Sequence, residues 1–532
     1  MKLNDQLKLS VFPYLITALY KLGLSYEKLG NISFFVKSNL LVQAKELGKV
    51  QIDINNNSQD IYILLMLSGS TFHLYIETLI ALALKKKGHN ITFLIDDNTL
   101  PIHELKKPGN EANWDYNAQR DFLFASKYLE TVGLDYISIS DFIIDAKKLE
   151  YNSRYDSVLE ATLLKLYKVG IISDDLPLHN KNKKLIKISI AISEYIGKKL
   201  VNIKPHIVIM SHGIYSTWGP VFQVLDRCNI PVLVHGRGKK RHSQVFNWNK
   251  TGDSWDVADE WRKVKDNNLT IDQLKEVNEY LASRILHKDD VFVYNFGNET
   301  TNDETISYLG LKHEMPIYTL FTNVLWDAAS AQREIVFKSA VEWVIETIAW
   351  FNDHPDKQLI VKIHPAEVVI GTNMPLYNII LDAITPNINI RIIKPDETIN
   401  SWSIYNVTTL GMVHTTTAGM ELPLVNRPCA VVSKTHYRDK GFTIDVNSKE
   451  EYFALLDKFD PSAIDFEHNK REALKYAYLL FIRYQVPFNM FYEEESTIIT
   501  GFRYESIDEY FLKTNLLDIV NNITDKRSML NK

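Results

Sequence analysis

The segment Val407–Asp445 reads VTTLGMVHTTTAGMELPLVNRPCAVVSKTHYRDKGFTID. An apolar run ending at Met412 and Val413 leads into His414, Thr415, Thr416, Thr417, Ala418 and Gly419, after which Met420, Glu421 and Leu422 open a helical pattern. Backbone N–H groups at such a helix start have no partner within the helix and point outward, so they hold an anion well. The hydroxyls of Thr415, Thr416 and Thr417 add donors, and Gly419 lets the backbone approach closely. Residues of these types in this order are suited to gripping a phosphate.

Upstream, Lys362-Ile363-His364-Pro365-Ala366-Glu367 ends a second apolar run. Pro365 stops the strand and fixes the turn, which leaves His364 positioned to donate a hydrogen bond to a phosphate as negative charge gathers there. Glu367 shares that turn and is a further candidate. Downstream, the loop Ser433–Arg438 leaves the buried run Pro428–Val432 and carries His436 and Arg438. The planar fork of Arg438 suits phosphate or carboxylate, the alternative being ordinary surface-loop residues. Asn323–Asp327 follows an apolar strand and either lines a nucleotide pocket or anchors the core through Trp326.

In the amino-terminal half, the apolar run Ile61–Leu67 turns through Ser68-Gly69-Ser70-Thr71 into a helical stretch, His73–Lys87, that closes at Gly88. Ser70 and Thr71 then offer hydroxyls at the carboxyl edge of a strand, where open α/β sheets bind ligands. Asp96, Asp97, His73 and His212 also sit near expected strand ends. Asp97 is the first choice for a general base, because a carboxylate at a sheet edge is the usual solution; the alternative is a strand-ending turn.

The residues between Ile306 and Asp445 resemble the capsule polysaccharide biosynthesis family, which includes the Kdo-transferring proteins of bacterial capsule assembly. The resemblance rests on Lys362–Glu367, on His414–Leu422 and on His436–Thr443, in that order and with short strand–helix–strand spacing. It implies that His364 contacts the donor's phosphate. It also implies that Glu421 holds ribose hydroxyls; read alone, Glu421 is equally a helix-start glutamate stabilised by the macrodipole, worth about 0.3–1 kcal/mol. The implied activity is an inverting, metal-independent glycosyltransferase of capsule or other surface polysaccharide synthesis. Its nucleotide-activated sugar, with a CMP-linked Kdo among the options, is a substrate, so no cofactor is expected. Two other classes stay open: a nucleotide-sugar epimerase of similar form, and a non-catalytic export or assembly component.

These residues need elements to position them. Strand, loop and helix alternate twice along the chain, which predicts α/β architecture: two Rossmann-like domains facing a cleft, as in GT-B enzymes, with a helical amino-terminal leader and carboxyl-terminal helices. The expected divisions are a leader at 1–58, a domain at 59–287 on the acceptor side, a domain at 288–470 on the nucleotide-sugar side, and a helical extension at 471–532. Val257–His287 reads as a bridge. Expected helices include Asn113–Thr131, Leu185–Val201 and Ala331–Phe351; expected strands include Ile207–Met210, Val232–Val234, Val291–Tyr294, Ile317–Phe321 and Leu359–Ile363.

The chain has 532 residues, more than one core usually supports. Its formal net charge of −5 argues against general nucleic-acid binding. Lysine clusters at Lys85–Lys87 and Lys181–Lys184 read as solvated surface, whereas Lys239–Arg241, after a strand and a glycine pair, is a candidate for an anionic substrate. Cys228 and Cys429 have no metal-ligand spacing, no DxD lies in a suitable loop, and the histidines lack two-ligand helical spacing, so no metal is expected. Leu9–Tyr20 is apolar but contains Pro13 and no small-residue cleavage site, and no apolar run is long enough to span a bilayer. The expected location is cytoplasmic, with a peripheral position at the inner face of the membrane, through Val11–Phe35, left open. The partners expected are a nucleotide sugar, a glycan or lipid-linked glycan acceptor, and a membrane-bound capsule assembly complex as a peripheral contact.

Overall fold

The structure is a computed structural model that describes residues 33–65, 72–102, 104, 111–286, 290–291, 297–327, 332–494 and 498–531. The chain divides into two compact units. The first contains the described residues up to Tyr167, Ser173–Asp253 and the carboxyl-terminal stretch from Gln485; the second contains Lys168–Ile172 and Ser254–Tyr484.

In the first unit the apolar runs become β1 (Asp60–Leu65), β2 (Asn90–Ile95), β3 (Asp135–Ser138), β4 (Ile207–Ser211), β5 (Val232–Arg237) and β6 (Ser243–Trp248). The sheet order is β3-β2-β1-β4-β5-β6, with β5 and β6 antiparallel and the other neighbours parallel. Because β1, β2 and β4 are covered on both faces, their residues read as largely apolar runs, whereas the edge strand β3 is partly exposed. The helix Phe72–Lys86 packs on this sheet, and the turn after it is completed by Gly88 at φ +80°, a conformation glycine adopts without strain.

In the second unit β7 (Ile317–Phe321), β8 (Gln358–Lys362), β9 (Ile390–Ile393), β10 (Leu410–Val413), β11 (Cys429–Val431) and β12 (Ile444–Asp445) form an all-parallel sheet in the order β9-β8-β7-β10-β11-β12. Renumbered within its own unit, each sheet has the doubly wound order 3-2-1-4-5-6, so the expectation of two Rossmann-like domains is met by each unit separately. In this order the chain reverses direction across the sheet between β1 and β4 in the first unit, and between β7 and β10 in the second. Ligands of such sheets bind at the carboxyl ends of the strands beside that reversal.

Several boundaries differ from the expectation. The second unit takes up the chain at Ser254, so the expected bridge, with helices Ala258–Val264 and Ile271–Ile285, belongs to it. The carboxyl-terminal extension is not purely helical. It returns to the first unit as β13 (Val486–Pro487) against β6 and the hairpin β14 (Phe491–Glu494) and β15 (Ile498–Phe502), and only then forms helices Ile507–Lys513 and Leu516–Thr524. Met490, Phe491, Phe502, Tyr510, Leu516 and Val520 enter the same core as the helix Phe72–Lys86. From the expected leader, the helix Ser33–Leu47 contributes Leu40, Ala44 and Leu47 to that core. The expected helix Ala331–Phe351 runs instead over Ala340–Asn352, because Ser339 caps it by accepting the Glu342 N–H at 3.0 Å. Leu9–Tyr20, residues 292–294 of the expected strand Val291–Tyr294, Ser70 and Thr71 lie outside the described residues. Among the described residues, no helix is long and apolar enough to cross a membrane.

Candidate functional site

Three strand ends of the second unit meet at its switch point and line a cavity of about 110 Å³. β7 contributes Phe321 and Thr322, β8 contributes Lys362, His364 and Pro365, and the loop after β10 contributes Thr416 and Thr417, with Ala418 and Glu421 from the helix Ala418–Leu424. Ser401, Trp402 and Tyr405 from the helix Ser401–Val407, together with Arg284 and Asp290, complete the wall.

The backbone geometry fixes the polar groups. The His364 N–H donates to Thr322 Oγ1 at 3.0 Å, which stitches the ends of β8 and β7 together and leaves the threonine's own hydroxyl proton to be donated elsewhere. His364 Nδ1 accepts the Ala366 N–H at 3.1 Å, so the neutral ring carries its proton on Nε2. Pro365 makes this possible by turning the chain into the short helix Ala366–Val369.

Lys362 is the least expected member of the wall. It is the last residue of β8 and only 4 % exposed, and among the described residues its ammonium makes no hydrogen bond or ion pair. Burial pushes its pKa down to about 8, offset only in part by the negative charge of Glu397. Glu397 itself is occupied by Arg391 at 2.6 Å and by the Lys394 N–H at 2.7 Å. A buried cation without a counter-ion is costly. An anion entering this cavity would supply the missing partner.

The other charges are already balanced. Arg284 donates to Glu421 Oε1 at 2.5 Å and lies 3.0 Å from Asp290 Oδ2, while Tyr405 donates to Glu421 Oε2 at 2.8 Å. Burial works against the charge on Arg284, but Glu421 and Asp290 outweigh it and raise its pKa. Tyr405 is held well above the usual tyrosine range by burial and then by Glu421. Each oxygen of Glu421 therefore has a fixed partner and a further lone pair available for a ligand hydroxyl.

Thus the cavity gathers His364, Thr416, Thr417 and Glu421 from the residues expected from sequence. The other candidates in the second unit have different surroundings. Thr415 accepts Asn323 Nδ2–H at 2.7 Å and donates its own N–H to Asn323 Oδ1 at 3.1 Å, which locks the loop. Gly419 does give close approach, but to Tyr437: an added Cβ would lie 2.5 Å from that hydroxyl. Tyr437 in turn donates to the Thr416 carbonyl at 2.7 Å, so this contact shapes the threonine loop from behind. Glu367 is buried, accepts the Leu376 N–H at 3.2 Å and has its pKa pushed up to about 7 by burial. Arg438 points inward and donates to the carbonyls of Val431 (3.0 Å) and Val446 (2.8 Å) and to Asn447 Oδ1 (2.9 Å), joining the chain at β11 to the chain after β12. His436 stacks on Tyr476 and has its Nδ1 3.0 Å from that hydroxyl. In the first unit, Asp97 accepts from Thr99 Oγ1 at 2.7 Å and from both the N–H and the hydroxyl of Ser140, which secures the turn after β2.

Sequence reading missed Lys362, Arg284, Thr322 and Tyr405. Lys362 did leave a trace, as a charged residue closing the buried run Gln358–Lys362 directly before Ile363 and His364. Arg284 left none, since an arginine in the last turn of an amphipathic helix is commonplace. Among the described residues, no group of three or more histidines, cysteines, aspartates or glutamates could hold a metal ion.

No family model matches the chain, and no curated protein does either. Solved structures similar to it include the KpsC beta Kdo 2,4 transferase of Thermosulfurimonas dismutans, at 14 % identity and a TM-score of 0.34 over 51 % of this chain and 79 % of that one. The calicheamicin glycosyltransferase CalG4 matches at 12 % identity and 0.24, over 81 % of this chain and 96 % of that one. A UDP-GlcNAc 2-epimerase from Neisseria meningitidis, solved with UDP-GlcNAc bound, matches at 11 % and 0.23, over 79 % and 96 %.

Proposed function

We propose that this protein is a glycosyltransferase of capsule or other surface polysaccharide synthesis whose second unit holds a nucleotide-activated sugar by its phosphate. The observation that carries the reading is the buried Lys362 ammonium, unpartnered among the described residues, in a switch-point cavity shared with His364, Thr322, Thr416 and Thr417. Lys362 offers the charge, the hydroxyls offer directional donors, and His364 Nε2–H offers a donor for a leaving phosphate. Glu421, held by Arg284 and Tyr405, takes ribose hydroxyls. Phe321, Trp402 and Tyr405 provide apolar surface beside these polar groups. Protein donors alone suffice to stabilise the phosphate in this reading, without a metal. A CMP-linked acidic sugar such as Kdo is one donor consistent with the motifs. The protein is then cytoplasmic and acts on a glycan or lipid-linked glycan, with a peripheral position at the inner face of the cytoplasmic membrane as the alternative. The acceptor hydroxyl also needs a base, for which Asp97 is the proposal carried from the sequence; Asp97→Asn should abolish acceptor-dependent transfer and spare nucleotide binding.

Thermal unfolding with CMP, CDP, UDP and GDP tests the donor site. A nucleotide at about one hundred times its Kd should stabilise the protein by roughly 2.7 kcal/mol. No stabilisation by any of the four would remove the reading. Product analysis then separates activities: a transferase releases nucleotide only with an acceptor, an epimerase interconverts free nucleotide sugars, and an assembly component does neither.

A further inference from the structure

The first unit has a second polar cluster, at the carboxyl ends of its own strands. Arg237 is the last residue of β5, and its guanidinium lies 4.1 Å over the ring of Phe72. Among the described residues it makes no hydrogen bond or ion pair. Glu493, the acid whose charge reaches it, lies 3.8 Å from His242 Nδ1. Three histidines form a cluster here, of which His73 feels the Arg237 charge. His73 follows Phe72 in the helix after β1, His212 follows β4, and His235 lies within β5 opposite Ser211. The ring of His73 is 5.9 Å from that of His212 and 5.8 Å from that of His235. His235 is 1 % exposed and binds Glu77 through Nε2 at 2.8 Å, while its Nδ1 has no partner among the described residues.

Among the described residues, Arg237 forms no ion pair and the buried His235 Nδ1 has no hydrogen-bond partner, and both lie at the carboxyl end of β5, where this sheet order binds ligands. Burial and the neighbouring imidazoles, with Arg237, hold His73 well below the usual histidine range, and burial first of all pushes His212 down to about 4. Both rings are therefore neutral at physiological pH, and each has one nitrogen to donate and one to accept. Arg237 is left as the positive charge acting on His73. His212, at φ +57°, and Gly213, at φ +65°, form a tight turn at the end of β4, closed by the Gly213 N–H donating to the Ser211 carbonyl at 2.7 Å.

We infer that the first unit binds, at its own switch point, a polyhydroxylated ligand carrying one oxyanionic group, with Arg237 taking the oxyanion and His73 and His212 taking adjacent hydroxyls. The oxyanion can be a sugar carboxylate or a sugar phosphate. Both present coplanar or near-coplanar oxygens to a guanidinium fork, and both leave ring hydroxyls within reach of imidazole nitrogens. Glu77 positions His235 rather than contacting ligand. This site is separate from the phosphate cavity of the second unit and does not depend on the reading given to it.

The test uses the whole protein and calorimetric titration with glucuronate, glucose 6-phosphate and, as the neutral control, glucose. One or both acids should bind saturably, and glucose should bind at least tenfold more weakly, as expected for loss of a charge-assisted contact. The acid that binds identifies which oxyanion the site takes. Arg237→Gln should weaken that acid about 10- to 100-fold, Arg237→Lys should weaken it less, and Lys362→Gln in the second unit should leave it unchanged. If Arg237→Gln fails to fold, histidine ring signals in nuclear magnetic resonance serve instead. The acid should then move signals that disappear in His73→Gln and His212→Gln. Equal binding of glucose and the acids, no saturable binding of either acid, or loss of acid binding in Lys362→Gln overturns the inference.

Discussion

Lys362 sets the energetics of the switch-point cavity at the scale of one residue. Its ammonium is buried and has no partner among the described residues, so the fold without ligand carries the desolvation cost of that charge. Lys362→Met keeps the stem and removes the charge. The expected outcome is a higher melting temperature without nucleotide, together with loss of most of the stabilisation that nucleotide gives; a lower melting temperature would show that the ammonium has a stabilising partner. The pH dependence has a definite sign. The folded pKa of about 8 lies below the ordinary 10.5, so between these values the unfolded chain binds the extra proton and stability rises with pH. Anion affinity runs the other way, falling as pH passes through about 8 and the ammonium is lost, and this fall should be absent from Lys362→Met. His364 contributes a single directed donor. His364→Ala should therefore lower turnover by about 10²–10³ while leaving the unfolding curve nearly unchanged, and steady-state kinetics with parallel urea titrations checks both halves.

At the scale of elements, the threonine loop is shaped from behind as much as from its own sequence. Tyr437 fills the space beside Gly419 and holds the Thr416 carbonyl, while Asn323 holds Thr415 from β7's side. Gly419→Ala would place a methyl 2.5 Å from the Tyr437 hydroxyl, so it should destabilise the protein by about 1–3 kcal/mol. Were the glycine present only for close ligand approach, affinity would fall and stability would not; urea unfolding beside nucleotide titration separates the cases. Arg438 is the staple between the chain at β11 and the chain after β12. Arg438→Met removes the guanidinium donors of the Val431 and Val446 carbonyls, of which Val431 keeps the Val446 N–H at 3.3 Å, and should cost about 1–3 kcal/mol in stability, with nucleotide Kd unchanged within twofold. A selective rise in Kd with stability intact would instead make Arg438 a ligand-binding residue.

For the whole molecule, the carboxyl-terminal return to the first unit is decisive. Met490, Phe491, Phe502, Tyr510, Leu516 and Val520 complete the core built on the helix Phe72–Lys86, and β13 covers the free edge of β6. A chain ending at Tyr484 should therefore lose the cooperative unfolding of the first unit and expose apolar surface to a hydrophobic dye. The second unit, whose core is formed by Leu320, Val344, Ile348, Val361, Met412 and their neighbours, should keep its own transition. Calorimetry of the truncated chain reads both outcomes; two undisturbed transitions would mean that the terminal stretch is only an appendage.

Local sequence was enough to determine β1, β4, β5, β7, β8, β10 and β11, the two-domain α/β class and the presence of His364, Thr416, Thr417 and Glu421 in the turns and the helix start that follow strands, whereas β3 and β6 were not read from it. These depend on continuous apolar runs, on proline and glycine punctuation, and on the rule that loops after parallel strands face ligands. Local pattern could not determine which loop residues face inward. Arg438 and Glu367 have the types expected of ligand-binding groups, yet their hydrogen bonds go to the carbonyls of Val431 and Val446 and to the Leu376 N–H, partners chosen by how distant segments pack. Lys362 was visible only as a charge at the end of an apolar run. Its lack of a counter-ion is a property of everything around it, with Glu397 committed to Arg391 and Glu421 to Arg284. The same holds for the carboxyl-terminal return, because β13 and the helix Leu516–Thr524 are ordinary elements whose partners lie hundreds of residues away. Tertiary structure decided these points because pairing and burial depend on contacts between segments, and such contacts leave no periodic trace in either segment alone.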